Sequence, residues 1–344
     1  MKKHTVKMLS LALALVMLFT LMGCGKQETP DNSTNPNKST DDAHTPKAYT
    51  ISMVTGSTGG SWYAAGAAYS EVIKEYLPGS NVTVNVGGGV SNPSLVSSGQ
   101  ADIGFTYSPA LIAALNGTGA FPEPLTNIRA FARLEPCYGM AFATKDSGIT
   151  SFEQIKEEKI PVRLAVPAVG NFGESVAASL LEAYGLSYDM IESFGGSVQH
   201  VSHPEAADLF RDNHIDMYIA AVGLGHANVT EMCLSRDMVF LPCTGDAMKY
   251  METLGYGDSA IPAGSFNGMT EDVPAVVYSA IYLVRDDADE NMVYFLTKAL
   301  YENKDALAAA YSAINEANLD EMADCFGAPL HPGAEAFYKE VGLL

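Results

Sequence analysis

Cations and tryptophan are scarce in this chain. Lys and Arg together number 20 against 40 Asp and Glu, the formal net charge is -20, and Trp occurs once in 344 residues. Nucleic acid is excluded as a partner, because phosphate contacts are made by Lys and Arg. Docking of the folded part on an anionic lipid surface is disfavoured for the same reason, and the acidity reads as solubility. Only five Cys are present. Cys137, Cys233, Cys243 and Cys325 do not form the close pairs of a zinc site. In an oxidising compartment they are free to pair, and Cys233 with Cys243, on either side of a helix-to-strand connection, is the better-placed couple. His200, His203, Asp208 and His214 have the order of a loop and an exposed helix face rather than of a ligand set. The sequence has no G-x-S-x-G, no Walker G-x-x-x-x-G-K-[ST], no H-E-x-x-H and no full G-x-G-x-x-G. No catalytic residue, metal or cofactor is therefore expected, and the chain does not read as an enzyme.

What is present begins at the N-terminus. Lys2, Lys3 and Lys7 precede an apolar run from Met8 to Phe19 broken only by Ser10. This is a basic region followed by a hydrophobic one, as in a secretory signal. The run is short of the roughly 20 apolar residues that span a bilayer, and no later segment is longer. It ends in Leu21-Met22-Gly23-Cys24, which resembles the bacterial lipobox, with Met22 in place of the usual small residue. That resemblance implies cleavage after residue 23 and lipidation of Cys24. From Gly25 to Lys47 the chain is mostly Thr, Asn, Ser, Asp and Pro, too polar to offset its ordering entropy. Residues 24–48 are expected to be a disordered tether. The implied location is outside the cytoplasm, anchored to the cell membrane through the N-terminal lipid.

Beyond the tether, strands and helices alternate. Tyr49–Val54 reads as a strand, followed by the loop Thr55–Ser61 and a helix from about Trp62 to Tyr76, stopped by Pro78-Gly79. Val82–Val86 is a second strand, ending in Gly87-Gly88-Gly89; Pro93 sits in the first turn of a helix, and Ile103–Thr106 is a third strand. The pattern recurs. Val162–Val166 is a strand, Gly170–Gly173 a loop, Glu174–Tyr184 a helix, Pro204–Arg211 a helix and Met217–Ala221 a strand. Ala275–Val284 is a late apolar strand, followed by helices. This order predicts an α/β fold with two lobes and a largely parallel sheet. The expected division is 49–137 with 245–344 for lobe I and 138–244 for lobe II, hinged near Cys137 to Ala143.

Each glycine loop stands where a strand ends and a helix begins. Helix N-termini present unpaired N–H groups and about half a positive charge. Thr58, Ser61, Ser91 and Asn92 add side-chain donors, and Gly allows close approach of the backbone. Such loops can hold a carboxylate without Lys or Arg, and several of them in two lobes predict a binding cleft.

Several segments are similar, in order and spacing, to the TAXI-type solute receptors of TRAP transporters. They are Gly56–Tyr63, Gly88–Asn92, Ser98–Asp102, Asn116–Gly119, Ile261–Gly264, Glu271–Pro274 and Leu330–Ala334. The resemblance spans about Tyr49 to Lys339. It implies a bilobal type II periplasmic-binding-protein fold. It also implies capture of a small organic anion or amino acid, such as glutamate, glutamine or a dicarboxylate, for delivery to TRAP membrane subunits. Thr58, Gly60, Ser61, Tyr63, Ser91 and Asn92 are the positions that it implies contact ligand. The second lobe departs from the family's G-S-G-T-E: the matching run is Gly170-Asn171-Phe172-Gly173-Glu174. Asn171, Phe172 and Gly173 then point to a ligand whose second end is less anionic or stacks on Phe172. The alternative is that Phe172 packs between the lobes. Arg133, near the expected hinge, is a candidate to meet a carboxylate bidentately. Rival assignments are the receptor of an ATP-driven importer, an enzyme using the cleft, and a lipoprotein sensor or adhesin.

Overall fold

The computed structural model describes residues 44–344 except Gly59 and Gly170. The signal segment, Cys24 and most of the tether lie outside the described residues. The first third contains β1 (Thr50–Val54), α1 (Ser61–Tyr76), β2 (Asn81–Asn85), α2 (Asn92–Ser97), β3 (Ile103–Tyr107) and α3 (Ser108–Asn116). A long strand follows, β4 (Ile128–Thr144). The middle third contains α4 (Phe152–Glu158), β5 (Arg163–Pro167), α5 (Phe172–Ala183), α6 (Tyr188–Ser193), β6 (Ser197–Val201), α7 (His203–Arg211) and β7 (Met217–Val222). Then come α8 (Ala227–Ser235), β8 (Met238–Leu241), α9 (Gly245–Thr253) and β9 (Gly257–Ile261). The chain returns through β10 (Val273–Arg285) and ends in α10 (Glu290–Glu302), α11 (Lys304–Ala310) and α12 (Pro332–Val341).

The strands form one sheet in the order β2-β1-β3-β10-β4-β7-β5-β6, with β8 beside β4 and β9 beside β10. β1 pairs in parallel with β2 and β3, and β5 pairs in parallel with β6 and β7. The two parallel units share one topology, because in each the first strand lies between the next two. Helices cover both faces of each unit, as parallel strands require. In the first unit, α1 buries Trp62, Ala65, Gly66, Tyr69, Val72 and Ile73. This three- and four-residue spacing makes a stripe against α10 and the sheet. In the second, Val176, Ala177, Leu180 and Leu181 of α5 bury against β5. α9, which the sequence reading gave to lobe I, places Ala247, Met248 and Met251 in that same second core.

Between the units run β4 and β10, antiparallel to each other. β4 also takes up β7 and β8, and β10 takes up β3 and β9. The segment Cys137–Ala143, read from sequence as a hinge, is thus part of a continuous strand. Periodicity missed β4 because most of it is buried rather than alternating. The end of the expected tether is also fixed. The Thr45 N–H donates to Asn291 Oδ1 (3.0 Å), Asn291 Nδ2 donates back to the Thr45 carbonyl (2.8 Å), and Lys47 pairs with Asp289 at 2.8 Å.

The four described cysteines are free, which corrects the expected Cys233–Cys243 bridge. Cys233 is buried in one cluster with α7 and α8, whereas Cys243 is buried in another with α5 and α9. Disulfides need Cα atoms within about 7 Å and converging Cβ vectors.

Gly139 allows the central strands to close. A Cβ there would lie 2.6 Å from Val276 Cγ2 and 2.9 Å from Val176 Cγ1. Gly139→Ala is expected to destabilise the fold by about 1–3 kcal/mol through overpacking. A urea denaturation midpoint equal to that of the parent would refute this role.

Candidate functional site

The carboxyl ends of β1, β2, β3 and β5 converge on one cleft of about 920 Å³. Gly56 and Ser57 follow β1, and Gly87 to Ser91 follow β2; Tyr107 ends β3, and Asn171, Phe172 and Ser175 open α5. This is where α/β sheets hold ligands, outside strand ends and against helix N-termini.

Hydrogen bonds within the loops set their shape. The Gly87 N–H donates to the Gly56 carbonyl at 3.1 Å, tying the two loops of the first unit together. Asn92 sits beneath them, fully buried. Its Nδ2 donates to the carbonyls of Thr55 and Phe105, each at 2.7 Å, and its Oδ1 accepts from the Gly88 N–H at 2.9 Å. One side chain thus clamps the ends of β1 and β3 to the loop after β2. Gly89 lies against the rings of Tyr107 and Trp62, where a Cβ would come within 3.0 and 3.3 Å of them. Across the cleft, Asn171 caps α5 by accepting the Gly173 N–H at 2.8 Å.

An aromatic column joins the two units. Trp62 of α1 meets Tyr107 at 4.4 Å between ring centroids, and Tyr107 stacks on Phe172 at 4.6 Å and 25°. Tyr278 of β10 closes the group, 5.1 Å from Phe172 and 5.3 Å from Tyr107. Phe172 therefore packs across the joint, as one of the two sequence alternatives has it, and also lines the cleft. Among the described lining residues, none is charged.

Behind Trp62 lies a carboxyl group. Trp62 Nε1 donates to Glu135 Oε1 at 2.8 Å, while Glu135 Oε2 is buried without a hydrogen-bond partner. Burial raises this carboxyl to about 7, and the Trp62 bond opposes the rise only in part. Tyr107, Tyr282, Tyr311 and Cys137 surround it. Its orientation comes from a bulge. Ser279 faces Pro136 and Ile281 faces Arg133, so Leu134 and Glu135 together stand opposite the single Ala280. Such a slip reverses the side-chain alternation.

The sequence-derived candidates divide accordingly. Ser91, Asn171 and Phe172 line the cleft. The Ser91 hydroxyl already bonds the Gly88 carbonyl at 3.2 Å. Thr58, Gly60, Ser61 and Tyr63 are in the turn and first residues of α1 beside the cleft, outside its lining. Asn92 and Gly173 are buried under the wall rather than in it. Arg133 is displaced to a second cavity of about 520 Å³. There it pairs with Glu321 (2.9 Å) and Asp324 (3.6 Å) and lies over the Phe326 ring at 4.5 Å. Its charge is already matched, which is the physical reason that it does not serve the cleft. Sequence reasoning missed Ser57, Trp62, Ser94, Tyr107, Phe121 and Ser175 as lining residues. Ser57 lay within a loop it had named, but nothing local marks Tyr107 or Phe121.

Two parallel units tied by long antiparallel strands, with a cleft lined from both, make up the fold of the bilobal periplasmic binding proteins. The chain belongs to the NMT1-like family, whose pattern matches residues 53–342. A TctC solute binding protein from Polaromonas shares this fold at 15% identity and a TM-score of 0.52, over 86% of this chain and 97% of that one. Looser likenesses are MatC from Rhodopseudomonas palustris with bound malate (11% identity, TM-score 0.47, 85% and 96% covered) and PhnD1 from Prochlorococcus marinus with methylphosphonate (11%, 0.48, 87% and 100%). Among the described residues, no helix is long and apolar enough to cross a membrane.

Two outcomes follow from the clamp and the buried acid. Asn92→Ala strands buried carbonyls and is expected to cost about 2–4 kcal/mol in denaturant titration; a loss under 1 kcal/mol would disprove the clamp. For Glu135, the folded state keeps its proton above the ordinary value of 4.5, up to about 7. Stability therefore falls as pH rises between these values, by up to about 3 kcal/mol, and is level beyond. Glu135→Gln should remove that slope and raise the melting temperature at pH 8 but not at pH 4. An unchanged slope would show that Glu135 does not hold the proton.

Proposed function

We propose that this protein is the extracytoplasmic solute receptor of a TRAP-type transporter of the TAXI kind, anchored to the membrane by lipid on Cys24. It captures a small organic anion or amino acid and delivers it to the membrane subunits. The observation that carries this reading is the cleft itself: strand ends of one unit and the start of α5 from the other face a common space, and Phe172 reaches across to Tyr107. The family match and the TAXI-like motifs support it.

In this mechanism the carboxylate of the solute is held by backbone N–H groups. The loop's own bonds use the N–H groups of Gly87, Gly88 and Ser91, which leaves Gly89 and Val90 to a ligand. The N-terminus of α5 adds its dipole from the second lobe. Closure of the lobes about β4 and β10 then takes the solute out of water, and ligand shifts the population towards the closed form. We place lobe I in 49–137 plus the segment from β10 onwards, and lobe II in the residues between, so that α9 goes with the core it packs in. Ser57, Ser91, Asn171, Phe172 and Tyr107 make the contacts.

Ligand binding only the native state stabilises it by RT ln(1 + [L]/Kd), about 2.7 kcal/mol at a hundredfold excess over Kd. Thermal unfolding against amino acids, mono- and dicarboxylates should show a saturable rise with one compound class. No rise with any compound, after removal of co-purified solute, would sink the receptor reading.

A further inference from the structure

The cleft walls define what kind of solute fits. We propose that it takes a planar, ring-bearing compound with at most one carboxylate and discriminates against dicarboxylates. This rests on the reading of the cleft as the solute site.

Three features lead to that class. First, the described lining residues include no Lys, Arg or His. A carboxylate withdrawn from water needs a charged or densely hydrogen-bonding partner. The loop after β2 can supply that for one carboxylate, while a second would have to lie against ring faces and aliphatic side chains. Arg133, the cation nearest in sequence to the buried joint, is held by Glu321 and Asp324 in the other cavity. Second, four aromatic residues, Trp62, Tyr107, Phe121 and Phe172, line the cleft, and two of them already demonstrate the packing mode. Tyr107 and Phe172 come from different units and stack at 4.6 Å and 25°. Stacked pairs contribute beyond the area they bury, so a ring laid against the cleft-facing part of the half-buried Tyr107 and Phe172 gains what a flexible diacid cannot. Third, about 920 Å³ accommodates a ring with substituents, within the range of sites for compounds of that size.

Asn171 and the Ser57 and Ser175 hydroxyls fit the same class, since neutral donors and acceptors at the edge of a ring orient it without requiring charge. In the run that resembles the family's G-S-G-T-E, Asn171 and Gly173 stand at the two hydroxyl positions and Phe172 at the glycine between them, so two hydroxyl groups are lost and an aromatic ring is gained.

Trp62 is the only tryptophan of the chain and lines the cleft, so its fluorescence reports occupancy directly. The whole protein, freed of co-purified solute, would be titrated with phenylacetate, 4-hydroxybenzoate and L-phenylalanine, and in parallel with succinate, malate and L-glutamate. Calorimetry would supply the affinities. At least one ring probe should saturate the signal and bind tenfold or more tightly than every diacid. Phe172→Leu keeps an apolar side chain at this position, and should weaken the ring probe about five- to tenfold in a protein that still unfolds cooperatively, although less stable for the lost contacts with Tyr107 and Tyr278. A diacid that saturates as tightly as the ring probes would overturn the proposed class and leave the receptor reading standing, as would Phe172→Leu binding the ring probe like the parent. Absence of saturable binding by all six compounds and by the wider panel would bring down both.

Discussion

Hydrogen bonds between β4 and β10 run from Val276 opposite Gly139 to Arg285 opposite Ile128. Both strands extend into each parallel unit, so the two units are parts of one sheet rather than beads on a linker. The ladder between β4 and β10 is irregular at two places, between Ser279 and Ile281 and between Tyr282 and Leu283. The first of these is the bulge at Leu134 and Glu135. It lies directly behind Trp62, whose indole N–H donates to Glu135, so the irregular stretch of the sheet backs the wall of the cleft.

The bulge also separates two electrostatic environments. On one side Arg133 and Pro136 face a cavity rich in carboxylates, among them Glu252, Asp258, Glu316, Glu321 and Asp324. On the other, Glu135 is buried with one oxygen unpartnered, and among the described residues none that lines the cleft beyond it is charged. The strongly acidic character of the chain is thus absent from the cleft. Leaving a polar atom buried and unpaired costs free energy, and Glu135 lowers that cost by holding a proton to about neutral pH.

Asn92 shows how the loops are held in place. Polar loops normally lie on the surface because their backbone groups need partners. Here one fully buried amide supplies partners to three segments at once. The wall of the cleft is therefore held from below, and its upper surface of glycine and serine faces the cavity. Asn92 is expected from sequence to contact ligand; in the structure its side chain bonds Thr55, Phe105 and Gly88 beneath the wall.

Local signals determined much of this protein. Strand–glycine–helix alternation, the stripe of α1, the stop at Pro78-Gly79 and the recurrence of the pattern around β5 act within a few residues of chain, and each appears near its expected place. Loops at strand ends also put Ser91, Asn171 and Phe172 in the cleft before any coordinates. Tertiary structure alone decided what depends on partners distant in sequence. The facing of Arg133 and Glu135 depends on a one-residue slip against β10, some 146 residues away, and no local pattern encodes a slip. The meeting of Tyr107 with Phe172, the burial of Asn92 and the separation of Cys233 from Cys243 are likewise set by which surfaces pack together. Side-chain periodicity records that a face is buried; it does not record against what.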